Sequence, residues 1–219
     1  MIDVMIDLSN FRIIDLSPKI RPDIRKVCGE YFHGDQTRLL RLDQFIYAPD
    51  ETFMHFVELE THIGSHVECP THIDDAAKDP TELSLETFMG EAVLVDLSGK
   101  EKGEVVTVED LVKADVHEGD IVILWSPYMW AEGPYVSVEA AEWLVKTRIK
   151  MIGVCGVRLE RVYPPANNER LLIGNEIPLI EGLTNLEKIK KKRFFYIGLP
   201  LNIAGLDTSW IRAIAIEER

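Results

Sequence analysis

Residues 61–74 read THIGSHVECPTHID and place His62, His66, Glu68 and His72 within fourteen positions. The chain has six histidines, so half of them fall here. Imidazole nitrogens and a carboxylate at this density form a donor set for a divalent cation. A histidine beside such an ion is also a ready proton carrier, because its ordinary pKa is about 6.5.

The backbone must bring these groups together. As a helix, His62 and His66 share a face but Glu68 points away, and Gly64 and Pro70 oppose a helix interior. As a strand, positions 62, 64, 66 and 68 lie on one face. An ideal strand would still spread residues 62 and 68 about 20 Å apart, at about 3.3 Å per residue. A shared ion needs every donor atom within about 2.0 to 2.2 Å. A metal site therefore requires a bend near Gly64 and Ser65, and glycine is the residue that permits one. Pro70 then presents His72 from a different backbone angle. A lone histidine is ordinarily a core or surface residue. Three histidines and a glutamate on one bent stretch favour a metal site instead. Of the others, His33 and His117 are expected on the surface, and His55 in a structural role or just outside the site.

The surrounding sequence alternates short apolar runs with amphipathic segments. Strands are expected at Ile13–Ser17, Phe53–Glu60, Glu91–Leu97, Asp120–Trp125, Met151–Val157, Phe194–Leu201 and Ala213–Ile216. Helices are expected at Thr107–Ala114 and Ser137–Arg148, each opening on a capping hydroxyl. Residues 18–50, broken by Pro18, Pro22, Gly29, Gly34 and Pro49, are expected to be irregular with room for a short helix. The pattern describes an α/β protein with a mixed sheet, residues 1–219 forming one domain.

Composition narrows the partners. The formal charge is −13 over 219 residues, which disfavours nucleic acid. The basic run at 188–193, KIKKKR, reads as a solvated helix end or loop. No apolar run reaches the length of a membrane span, and aspartates stand where a signal peptide is basic. Cys28, Cys69 and Cys155 are few, separated and odd in number, which fits a reducing, cytoplasmic setting. A small-molecule substrate is the expected partner. Trp125, Tyr128 and Trp130 (WSPYMW) are candidates for an apolar pocket, with core or interface packing an equal alternative.

HIGSHVECPTH at 62–72 resembles the HxGTHxDxPxH signature of the metal-dependent cyclase family, to which kynurenine formamidase and isatin hydrolase belong. The likeness extends along the chain through IIDLS, AVLVDLSG at 92–99, EGDIVIL, EAAEWL at 139–144, IPLIEGLTNL at 177–186 and LPLNIAGLDTSWIRAIAI at 199–216. The resemblance implies a swivelling β/β/α fold and assembly as a homodimer or homotetramer, with neighbours walling the active site. It implies that His62, His66 and Glu68 are metal ligands, that His72 does acid/base chemistry, and that Glu181 is a further ligand. Three departures stand out. Ser65 replaces threonine, Glu68 replaces aspartate, and Glu169 occupies the position, twelve before Glu181, where two-metal members carry a histidine.

The implied cofactor is manganese or zinc, one or two ions per chain, with the glutamate-rich set favouring manganese. The implied reaction is hydrolysis of a small amide, formamide or cyclic amide. The alternatives are a metal-dependent lyase or cyclase, and a binding protein that has lost catalysis.

Overall fold

A computed structural model describes residues 9–20, 26–27, 30–31, 40–47, 49, 51–161 and 167–219. The expectation for His33 lies outside those residues. Nine strands build one sheet: β1 (Phe11–Asp15), β2 (His66–Glu68), β3 (Met89–Asp96), β4 (Ile121–Trp125), β5 (Met151–Cys155), β6 (Leu179–Glu181), β7 (Arg193–Ile197), β8 (Thr208–Trp210) and β9 (Ile214–Glu218). Their order is β1-β9-β7-β3-β4-β5-β6-β2-β8. The four central strands β3, β4, β5 and β6 run parallel, and the flanking pairs are antiparallel. The expected mixed α/β architecture is therefore present.

Helices α1 (Val108–Lys113), α2 (Val138–Thr147) and α3 (Asn167–Gly174) make the connections between the parallel strands. Helix α1 starts as a capping box, in which the Asp110 carboxylate accepts from the Thr107 amide at 2.8 Å. Ser137 Oγ accepts from the Ala140 amide at 3.0 Å and caps α2.

Strand periodicity divides the interior into two layers. Val122 and Leu124 of β4 join Ile152, Leu144, Leu172 and Leu179 on the helix side. Ile121 and Ile123 join Met151, Ile180, Val67 and Tyr196 on the other side. In β2, Val67 faces that second layer. His66 and Glu68 therefore face the helices, as does Glu181, whose neighbour Ile180 also faces away.

Residues 18–50 differ from expectation. Their described part contains no helix; it includes two short paired strands, Lys26–Val27 and Glu30–Tyr31, and the strand Leu40–Tyr47. The last pairs with Thr52–Leu59 in an eight-residue antiparallel arm. Phe53, Phe56, Val57 and Ile46 are 60% exposed or more. His55 belongs to this arm, with its Nε2 3.3 Å from Gln44 Nε2, in an exposed position. It is a surface residue of the hairpin. The polar segment at 167–170 forms the first turn of α3.

Candidate metal and proton-transfer site

The bend demanded by the sequence is present. Gly64 has φ +68°, and β2 begins only at His66. A side chain at Gly64 would collide with Ile20, since an ideal Cβ would lie 2.3 Å from its Cδ1. Gly182, just past β6, also has φ +68°, and a Cβ there would lie 2.1 Å from the Gly64 carbonyl oxygen. The two segments thus pass in close main-chain contact. Ser65 Oγ adds a bond to the Gly182 carbonyl at 2.9 Å. Strand β2 pairs with β6 on one side and β8 on the other, so His66 stands opposite both Glu181 and Trp210.

Four segments of chain converge. His62 Nδ1 lies 3.0 Å from Glu68 Oε1. His66 Nε2 lies 3.8 Å from Glu68 Oε1 and 3.6 Å from Glu181 Oε2. Two ligands about 2.0 to 2.2 Å from one ion are themselves about 2.8 to 3.6 Å apart. The observed separations lie within a few tenths of an ångström of that range. His66 Nδ1 donates to the Gly64 carbonyl at 2.8 Å, which directs Nε2 toward the carboxylates. Such a backbone acceptor behind an imidazole is the usual support of a histidine ligand. The set therefore fits a divalent ion.

A second group shares Glu68 through its other oxygen. His72 sits in the short 3-10 turn Pro70–His72, and its Nε2 is 4.0 Å from Glu68 Oε2 and 3.8 Å from Glu169 Oε1. Glu169 rides on the first turn of α3. Glu160 Oε1 accepts its amide at 2.9 Å, and the buried Asn168 amide bonds the carbonyls of Val136 and Leu159. All five residues expected at a metal, and His72, meet at the helix side of the β6-β2-β8 end of the sheet.

One member was not foreseen. Asp207 Oδ2 is 2.8 Å from His72 Nδ1 and 3.1 Å from His62 Nε2. In sequence it is a lone acid in GLDTS, which reads as an ordinary loop aspartate. Conversely, Trp125 packs with the far layer, away from the site. Tyr128 donates its hydroxyl to the Lys100 carbonyl at 2.8 Å.

Charge in the cluster is strongly coupled. Burial alone would lower His62 and His66, but the neighbouring carboxylates overcome it. Asp207 and Glu68 bring His62 up to about 9, and Glu181 and Glu68 bring His66 up to about 10. Glu68 is raised by burial and then held well below the carboxylate range by the two imidazoles. The hydrogen bond to Asp207 raises His72. Glu169 is pushed up to about 7, first by burial and then by repulsion from Glu68, Glu160 and Glu181. Carboxylates this crowded favour a cation among them.

Comparison with known proteins places the chain. The family model described as "Putative cyclase" matches residues 14–161. A kynurenine formamidase from Erythrobacter litoralis is 25% identical over 214 residues, 95% of each chain. Another, from Geobacillus thermodenitrificans, is 26% identical over 170 residues, 72% of this chain and 77% of that one. Isatin hydrolase A from Labrenzia aggregata, solved with benzyl benzoate bound, superimposes with TM-score 0.77 at 21% identity over 96% of this chain and 95% of that one. The fold, the matched segment and the convergence of the signature residues agree: this chain belongs to the cyclase family.

Proposed function

We propose that the chain is a metal-dependent hydrolase of a small amide, formamide or cyclic amide. The observation that carries this reading is the adjacency of two donor groups. His62, His66 and Glu68 form a set suited to a cation, and His72 stands across Glu68 from it. The relatives named kynurenine formamidase and isatin hydrolase point to an aryl formamide or a lactam-like ring as the substrate class.

His62, His66 and Glu68 would hold the first ion, with Glu181 and Glu169 as further ligands to it or to a second. The carboxylate excess favours manganese, with zinc next. A divalent ion in this set supplies Lewis-acid activation of water and of the amide carbonyl. His72 then accepts a proton at Nε2 and delivers it to the departing nitrogen, which leaves poorly unless protonated. Glu68, buried to 2% exposure and held ionised, balances the positive charge.

We also propose a cytoplasmic homodimer or homotetramer. The family resemblance supports the assembly, as do the exposed Phe53 and Phe56 of the arm. Few, scattered cysteines support the compartment. Among the described residues no helix is long and apolar enough to cross a membrane.

The test is a panel of aryl formamides, lactams and simple amides, assayed on chelator-stripped protein with manganese or zinc restored. Metal-dependent turnover with one solvent oxygen in the product is expected. Metal-dependent turnover without solvent oxygen would indicate elimination instead.

A further inference from the structure

We propose that Asp207 is the positioning residue for both His62 and His72, fixing the tautomer of each ring through one carboxylate oxygen. The inference rests on the hydrolase reading above, which it deepens. An ionised carboxylate only accepts hydrogen bonds. Asp207 Oδ2 lies 2.8 Å from His72 Nδ1 and 3.1 Å from His62 Nε2, so both nitrogens must carry hydrogen. A neutral imidazole has a single N–H. Whenever the rings are neutral, as a bound cation requires of a ligating His62, the opposite nitrogens, His62 Nδ1 and His72 Nε2, are the lone-pair atoms. His62 Nδ1 faces Glu68 Oε1 at 3.0 Å, on the side of the cation donors. His72 Nε2 faces Glu68 and Glu169, where a proton must be exchanged.

The carboxylate is held in place by the chain around it. The Asp207 carbonyl accepts the Cys69 amide at 3.0 Å, Thr71 Oγ1 donates to the Leu206 carbonyl at 3.2 Å, and Asp79 Oδ2 accepts the Gly205 amide at 2.7 Å. These bonds tie the Asp207 loop to the segment that carries His72. One oxygen therefore couples the orientation of a candidate ligand to that of the candidate proton carrier.

The experiment uses zinc-loaded protein labelled with ¹⁵N-histidine, so that tautomers are read from nitrogen spectra without substrate. Expected in the wild type are an Nδ1–H form of His72 and an Nε2–H form of His62. Asp207→Asn, which is isosteric, should leave His72 as a mixture of tautomers. It should lower kcat by about 10- to 100-fold with KM within about twofold, and weaken zinc binding by about 10-fold or more in chelator competition. The opposite tautomers in the wild type would overturn the proposal. So would an Asp207→Asn protein with wild-type spectra and kcat. Complete loss of zinc in that variant would make Asp207 a ligand and overturn it as well. Wild-type protein with the expected tautomers but no turnover of any amide would instead refute the hydrolase reading alone.

Discussion

Metal affinity should rise steeply with pH, and the slope counts the protons that the ion displaces. Without metal, His62 titrates at about 9 and His66 at about 10, so both are imidazolium between pH 6 and 8. A ligating imidazole must be neutral. Each ion bound through both rings thus releases two protons, and apparent affinity gains about two powers of ten per pH unit. From pH 6 to 8 the gain is about 10⁴-fold. Glu169 adds a signature of its own. It titrates at about 7, so if it also coordinates, a third proton leaves below pH 7 and the slope there approaches three. Glu169→Gln should restore a slope of two throughout. The assay is calorimetric titration of zinc into chelator-treated protein in buffers of different ionisation enthalpy. Release of less than about one proton per ion at pH 7 would mean that the imidazoles are neutral beforehand and that the charge balance drawn here is wrong.

Other outcomes separate the roles. His66→Ala should lose metal on dialysis, whereas His72→Ala should keep it and lose turnover by about 10²- to 10⁴-fold, measured by metal content and steady-state kinetics side by side. Gly182→Ala must place a Cβ against the Gly64 carbonyl at positive φ; a loss of about 1 to 3 kcal/mol in chemical denaturation is expected, with weaker metal binding because that carbonyl supports His66. Sedimentation at micromolar concentration should give a species larger than 24.9 kDa, and paired Phe53→Ser and Phe56→Ser changes should shift it toward that mass.

The parts of the fold legible in the sequence are those whose burial is uniform. DIVILW, MIGVCGV and EAVLVDL are continuous apolar runs because parallel strands are covered on both faces, and each became a central strand. Thr107 and Ser137 marked their helices through local capping chemistry. The arm was half legible. Its second strand was expected, but its first, LRLDQFIY, alternates only from Leu40 to Asp43 and then runs into three consecutive apolar residues, Phe45, Ile46 and Tyr47, which blurs the period. Strands β6 and β8 are three residues long, too short for any period to register. Helix α3 begins with Asn-Asn-Glu-Arg, a polar string whose helical state depends on Glu160 and buried Asn168. At the site, spacing alone required the Gly64 bend. Asp207 stayed hidden because its partners are 135 and 145 residues away and only the sheet order unites them.

The close approach of Gly64 and Gly182 bears on how such a site can change over time. The frame that orients the donors is main chain: two glycine backbones, the Gly64 carbonyl behind His66, and the ladders on both sides of β2. The side chains that join it are Ser65, bonded to the Gly182 carbonyl, and His66, bonded to the Gly64 carbonyl. Exchange of a side chain at 68, 169 or 181 therefore leaves the scaffold standing. Such a socket lets ion preference drift by single codon changes, whereas replacing either glycine would dismantle the socket itself.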